Sequence, residues 1–271
     1  MKVIDFRIRP LYKHYLSFKK EAIKKTLKSF GYDESESITK RSLESLVKEL
    51  DEASIIKGVI PGRIRFGTTN EELFEMADLY PDKFIIYPFL DITNPEQALR
   101  DIDKYIINGK GKGASIEPYV DGNSCYIDES FFPVYEKLEK NNIPLMSTVS
   151  GWVGSYINNT IPAQIDTILT EFPKLKFIAG HSGWPWFGEM VALTFKHPNL
   201  YLTADFEGTR GAGADILRQG ALYMASEQIV FASSYPLGPV KQGIQSVKDW
   251  KLPKEVEEKI FYKNAAKLLN L

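Results

Sequence analysis

What most limits the folds open to this 271-residue chain is a repeated texture: short apolar runs alternate with amphipathic or polar stretches along its whole length. Eight runs stand out, at 2–6, 54–60, 84–89, 113–118, 144–149, 176–179, 200–204 and 229–232. Runs this short, rich in β-branched and aromatic side chains, form strands, and a helical stretch between successive runs returns the chain to start the next strand in parallel. Eight such units predict a (β/α)8 TIM barrel, an α/β fold whose reactive side chains stand at the C-terminal ends of the strands. Helices are predicted over 69–79, 94–106, 130–141, 161–172 and 212–223. Thr69 and Asn94 are N-cap types, and Glu71, Glu72 and Glu96 follow them where a helix N-terminus favours negative charge.

With 44% hydrophobic residues the chain can bury one large core, and residues 1–271 are read as a single barrel domain. One excursion, at about 10–53, breaks the rhythm and carries Lys13, Lys19, Lys20, Lys24, Lys25 and Lys28. It is read as two helices that cover the barrel mouth as a lid or make a homodimer contact, its lysines forming a solvated face. The formal charge of −1 provides no field for nucleic acid or an anionic membrane, and neither is expected as a partner. Cys125 is the sole cysteine, which excludes an internal disulfide and suits a reducing, cytoplasmic setting. No run of about 18 apolar residues offers a membrane span or an apolar leader.

Several local patterns coincide in order with the strand ends: Val3-Ile4-Asp5, Tyr80-Pro81-Asp82-Lys83-Phe84, Gly113-Ala114-Ser115-Ile116-Glu117-Pro118, Phe132-Pro133-Val134-Tyr135, Phe177-Ile178-Ala179-Gly180-His181-Ser182-Gly183-Trp184 and Phe231-Ala232-Ser233-Ser234-Tyr235-Pro236. Taken together they resemble the amidohydrolase-related family, the branch of the amidohydrolase superfamily that holds decarboxylases of muconate semialdehydes and hydroxybenzoates together with pyrone lactonases. The resemblance covers essentially the whole chain. It implies a distorted (β/α)8 barrel and, in most members, one divalent metal. The ligands would be a His-x-His pair after the first strand, histidines after the fifth and sixth, and an aspartate after the eighth. Here the pair reads Arg7-Ile8-Arg9, the fifth-strand position reads Thr148 or its neighbour Ser147, the aspartate position reads Ser234, and only His181 matches.

Arginine offers donors only, so Arg7 and Arg9 cannot ligate a metal, and one histidine with two hydroxyls makes no tight transition-metal site. The site is therefore read as metal-free and without a cofactor. A competing reading holds a metal on His181, Asp205, Glu207 and Glu117. His14 lies in the excursion and His197 precedes the seventh strand, so neither replaces a lost ligand, and His197 is read as structural.

A mouth built this way attracts anions. Arg63 and Arg65 follow the second strand and Arg210 the seventh, so up to five guanidinium groups border one face and suit bidentate binding of a carboxylate. The expected ligand is a small anionic substrate. The opposing expectation pairs these arginines with Asp5, Glu117, Asp205 and Glu207. For chemistry, His181 is the first candidate acid or base, with Asp205, Glu207 and Glu117 able to activate water or orient it. Thr148, Ser234 and Tyr235 would hydrogen-bond the substrate, since no nucleophile elbow surrounds Ser233-Ser234-Tyr235. Trp184, Trp186, Trp152, Tyr119 and Tyr235 are candidate aromatic walls.

The lactonases of the resembling family work without a metal, with arginines polarising the carbonyl. By that likeness the chain is expected to be a metal-independent hydrolase of a small carboxylated lactone, ester or carbonyl compound. Two alternatives stay open: a decarboxylase of a small unsaturated or aromatic acid, and a catalytically silent barrel that binds an anionic metabolite or partner.

Overall fold

The computed structural model describes residues 1–119, 125–152 and 156–271. Among them are eight parallel strands: β1 (Val3–Asp5), β2 (Ile55–Pro61), β3 (Phe84–Tyr87), β4 (Ala114–Ile116), β5 (Leu145–Ser150), β6 (Phe177–Trp184), β7 (Leu200–Ala204) and β8 (Ile229–Phe231). They pair in sequence order as β1-β2-β3 and β4-β5-β6-β7-β8, and the bridges Phe89 to Ser115 and Ile8 to Tyr235 join the two sheets into a closed barrel. Closure removes the unpaired strand edges that an open sheet would expose. Ile4, Phe6, Val59, Ile85, Tyr87, Met146, Ile178 and Val230 fill the interior, packed with Ala265, Leu268 and Leu269 of the final helix Asn264–Leu269. A second, larger core lies between the strands and the outer helices.

The helix between β2 and β3 shows why its ends fall where they do. Asn70–Leu79 begins after Thr69, whose hydroxyl accepts from Glu72 N–H while the Glu72 carboxylate accepts from Thr69 N–H, a reciprocal capping box. The 94–106 prediction divides into Pro95–Asp101, capped by the Asn94 side chain, and a wider turn, Ile102–Ile107. No helix among the described residues is long and apolar enough to cross a membrane.

The excursion differs from expectation in composition. In place of two helices it holds a 3-10 turn, Lys13–Ser17, and three helices, α1 (Lys20–Ser29), α2 (Glu36–Lys40) and α3 (Leu43–Glu52). Its apolar residues Tyr15, Phe18, Ile23, Leu27 and Leu46 join the main core, and the Phe18 ring stacks on Phe66 at 4.3 Å. Arg41, at the C-terminus of α2, donates to Leu16 C=O at 2.5 Å and Phe18 C=O at 2.9 Å, which fixes the segment leading into α1.

β6 runs past its expected end. The sixth apolar run ends at Ala179, yet the strand continues through Trp184. It does so with left-handed backbone at His181 (φ 64°), Ser182 (φ 49°) and Gly183 (φ 75°). Left-handed conformation at two residues with a Cβ costs of order 1–3 kcal/mol each and persists only where the surroundings hold it. Here they do: His181 N–H donates to Thr203 Oγ1 at 2.9 Å and to Asp205 Oδ2 at 3.1 Å, and Ser182 Oγ donates to Thr203 C=O at 2.7 Å.

Candidate active site

Four strand ends converge on one guanidinium. Arg7, just after β1, donates from Nη1 to His181 Nε2 of β6 at 2.7 Å and to Ser234 Oγ after β8 at 2.8 Å, and from Nη2 to Thr148 Oγ1 of β5 at 3.0 Å. Asp205, after β7, lies 3.7 Å from the same Nη1 and accepts from Ser234 Oγ at 3.0 Å. Arg7 is 1% exposed. Its place depends on Gly180, where an added Cβ would stand 3.0 Å from Ser147 C=O and 3.2 Å from Arg7 Nε. The positions that the family resemblance assigns to metal ligands thus surround an organic cation contributed by the chain itself.

The partners fix the state of His181. Arg7 can only donate, so Nε2 carries the lone pair and Nδ1 carries the proton, directed at Asp205 Oδ2 at 3.0 Å, while Glu207 Oε2 lies 3.3 Å from the same nitrogen without a hydrogen bond. Burial, followed by the Arg7 charge, pushes the ring down to about 4, so it is neutral at pH 7. Burial would raise Asp205, but the His181 ring, Arg7 and the Ser234 hydroxyl more than offset it, and its carboxyl is held below the usual range. Glu207 goes the other way: burial and then the adjacent Asp205 charge raise it well above an ordinary glutamate. Two neighbouring carboxyls shifted in opposite directions are the kind of arrangement that separates acid from base in an active site. Asp5 is raised to about 7 by burial, while its Oδ1 ties β1 to the β8 end by accepting from Arg7 N–H at 3.1 Å and Ser233 N–H at 3.0 Å.

Above this floor lies a cavity of about 530 Å³. His181, Glu207 and Thr148 face it from the strand ends, Arg63, Arg65 and Phe66 from the loop after β2, Trp152, Phe206 and Leu237 from the other side, and Ser17, Phe18, Lys19, Ala22 and Thr26 from the excursion. The excursion therefore covers the mouth, and Lys19, which the sequence reading assigned to a solvated face, borders the cavity. The lysine periodicity held no signal for this, because the docking of α1 onto the barrel decides it.

Several expected site residues lie elsewhere. Arg7 and Arg9 sit beneath the large cavity around a far smaller one of about 10 Å³, with Arg63, Ser115, Glu117 and Ser147, so neither borders the mouth as expected. Burial drives Arg9 well below a normal arginine, and its Nε has no hydrogen-bond partner. Arg63, 8% exposed, reaches both cavities and is ion-paired with Glu117. Glu117 also accepts from Thr148 Oγ1 at 3.2 Å. Arg210 points away: it donates to Ser246 Oγ at 2.8 Å and Gly31 C=O at 2.5 Å and lies over the Tyr32 ring, because the short helix Phe206–Arg210 turns its last residue outward. Ser234 serves Arg7 and Asp205, and Tyr235 is wholly buried, so neither hydroxyl borders the large cavity. Trp184 stands behind Trp152, with ring centroids 5.8 Å apart. Tyr119 donates to Gln164 at 2.6 Å. His197 pairs with Asp166 at 2.6 Å, as befits a structural residue.

The metal arrangement implied by the resemblance does not fit these side chains, since a guanidinium occupies the convergence point and four of the five ligand positions hold arginine, arginine, threonine and serine. A different trio, His181, Asp205 and Glu207, has its donor atoms within 4.8 Å of one another, and Asp205 Oδ1 and Glu207 Oε2 are buried without hydrogen-bond partners. Glu117, included in the competing metal reading, is taken by Arg63 and Thr148 instead. A dication there would also face the Arg7 guanidinium, whose Nη1 lies 3.5 Å from His181 Nδ1 and 3.7 Å from Asp205 Oδ2, and like charges at such range repel. Three ligands would have to overcome that.

The amidohydrolase family model matches residues 56–271, and the stretch before the match holds Arg7, Arg9 and the lid helices. Among solved structures, an uncharacterised TIM-barrel protein from Bordetella bronchiseptica is similar at a TM-score of 0.92 and 28% identity, covering 100% of this chain and 99% of that one. A 2,6-dihydroxybenzoate decarboxylase from Rhizobium is similar at a TM-score of 0.73 and 16% identity, covering 100% and 99%. A dihydroxybenzoic acid decarboxylase from Polaromonas sp. JS666, solved with bound manganese and the inhibitor 2-nitroresorcinol, is similar at 0.71 and 16%, covering 100% and 97%. At those identities the two decarboxylases speak for the fold alone. No curated protein sequence matches at a significant level. The family match spans far more than half of the sequence and takes in nearly all of β2 through β8, with His181, Asp205, Glu207 and Ser234: the chain belongs to the amidohydrolase family.

Proposed function

We propose that this protein is a metal-independent decarboxylase of a small unsaturated or aromatic carboxylic acid, with Glu207 as the proton donor. The observation that carries this reading is the pairing of Glu207 with His181, 3.3 Å apart, on the floor of a 530 Å³ cavity whose wall carries Arg63, Arg65 and Lys19. Pockets of this size enclose small organic ligands, and the cations suit a carboxylate.

The chemistry follows from which proton carriers face the cavity. Decarboxylation breaks the bond between the carboxylate carbon and its neighbour, leaves the electron pair on that neighbouring carbon, and needs a proton delivered there as carbon dioxide departs. Glu207 is the group suited to supply it, since burial and the negative charge of Asp205 both favour its neutral form. The carboxylate left on Glu207 is then reprotonated from solvent. His181 is a positioning residue: Asp205 holds its Nδ1 beside Glu207, while Arg7 locks its other nitrogen. Arg7 supplies the fixed positive charge beneath the floor that balances Asp205.

Hydrolysis, the reaction expected from the resemblance to lactonases, needs an ionised base for water. Asp205 does not border the cavity and is committed to Ser234 and the His181 N–H, and Glu117 is paired with Arg63. One observation favours it as a second reading: Arg63 borders the cavity, where a guanidinium can polarise a carbonyl. Product analysis separates the two. Incubation with a panel of hydroxybenzoates, unsaturated diacids and carboxylated lactones should release carbon dioxide, and Glu207→Gln should lower kcat by roughly a hundredfold or more. Ring opening without carbon dioxide, or full turnover by Glu207→Gln, would overturn the assignment.

A further inference from the structure

The outer end of the cavity carries two cations that the chemistry above leaves unused. Lys19 comes from the lid and Arg65 from the single 3-10 turn Ile64–Phe66 after β2; both are exposed and both line the cavity. Among the described residues neither has an ion pair, whereas Arg63 between them and the floor is paired with Glu117. Their placement is built rather than incidental. Phe18 precedes Lys19 and Phe66 follows Arg65, and the stack of these two rings at 4.3 Å fastens the lid to the turn, with a cation beside each ring. Arg41 holds the lid backbone through Leu16 C=O and Phe18 C=O.

A third element points to the same place. Lys19 is the N-cap of α1, no side chain caps that helix, and Ala22 of its first turn lines the cavity. The first turn of a ten-residue helix, which also carries Glu21, therefore borders the cavity with no side-chain cap at its N-terminus and with the positive end of its dipole. An acidic ligand satisfies all three features at once, whereas a neutral one leaves two cations and an uncapped helix end facing only water.

We propose that Lys19, Arg65 and the first turn of α1 form an anion subsite at the mouth, so that the substrate carries a second carboxylate at the end remote from Glu207. This rests on the proposed reaction only for the orientation of the ligand. The inner carboxylate lies against Arg63, Thr148 and Glu207 and is the one lost; the outer one is retained in the product and selects the substrate. Lys19 is thus a specificity residue contributed by the excursion.

Isothermal titration with benzene-1,3-dicarboxylate and with benzoate tests this on the intact chain. The wild type should prefer the dicarboxylate by about tenfold or more, the effect of one added charge-assisted contact. Lys19→Met and Arg65→Met should each shrink that preference to less than about threefold, and Lys19→Arg should keep it. Both positions are exposed, and unchanged melting curves would exclude misfolding as the cause. Equal affinity of the wild type for both probes, or an undiminished preference in both methionine variants, would overturn the subsite. Failure of the Glu207 chemistry with this preference intact removes the reaction and leaves the subsite, and the converse removes the subsite alone.

Discussion

Replacing Arg7 by methionine keeps most of the side-chain length and removes the charge and all its donors. The structure assigns that guanidinium three hydrogen bonds, at 2.7, 2.8 and 3.0 Å, and a 3.7 Å approach to Asp205. Breaking a buried pair by removing one partner costs about 3–5 kcal/mol, because the remaining charge is left uncompensated. Domains have roughly 5–15 kcal/mol of stability, so Arg7→Met should fold but unfold at markedly lower denaturant. The second effect falls on His181. Burial is the largest cause of its depressed pKa and Arg7 the next, so the variant should titrate above the wild-type value of about 4 yet short of the ordinary 6.5. Arg7→Lys retains the charge and loses the fork, which separates electrostatics from geometry: His181 should stay depressed while stability still falls. Denaturant titration at pH 7, with NMR titration of the three histidine rings, reads both effects. A stability loss under about 1 kcal/mol, or His181 titrating at one pH in wild type and Arg7→Met, would refute the account of Arg7 as the organising cation.

Other outcomes follow from the same geometry. Gly180→Ala should lower stability by about 1–3 kcal/mol, since its Cβ meets Ser147 C=O and Arg7 Nε at 3.0 and 3.2 Å; an unchanged melting temperature would mean that Arg7 is not held tightly there. Ser234→Ala removes the hydroxyl between Arg7 and Asp205 and should cost about 1–3 kcal/mol by denaturant titration, with no loss counting against that link. Buried groups pull in opposite directions in the pH dependence of stability. Asp5, raised from 3.8 to about 7, contributes stability that is full below its unfolded pKa and is lost as pH rises through 7, about 4 kcal/mol in all. His181, lowered from 6.5 to about 4, contributes stability present above 6.5 and lost as pH falls through 4, about 3 kcal/mol. Glu207, raised well above 4.5 by burial, adds a second loss as pH rises, so between about pH 4.5 and 6.5 the wild type should lose stability and Asp5→Asn should lose markedly less; parallel profiles for the two proteins would disprove the burial argument for Asp5.

Strand positions were legible because short apolar runs depend on local sequence, and β1 to β5, β7 and β8 fall within a few residues of their expected ends. Thr69 and Asn94 were legible as caps for the same reason. The convergence of His181, Asp205 and Glu207 followed from strand order, since side chains just past β6 and β7 must share one barrel face. What no local pattern could disclose was depth. Arg63 and Arg65 are two residues apart, yet one is buried against Glu117 and the other exposed at the mouth, because a 3-10 turn replaces the extended backbone there. Arg7 belongs beneath the floor because hydroxyls from β5 and the β8 end, distant in sequence, make room and partners for it. Lys19 gained a site only through the docking of α1, and Arg210 lost one through the direction of a five-residue helix.

The central claim is that Arg7 is the cation around which this site is organised and that the chemistry needs no metal ion. Elemental analysis of the intact chain, purified without chelator and then titrated with manganese and zinc, tests it most directly. The account predicts far less than one equivalent of metal in the purified protein and no saturable binding of either ion at micromolar concentration. One equivalent of manganese or zinc, lost together in His181→Ala and Asp205→Ala, would contradict it and give the site to the His181, Asp205 and Glu207 trio.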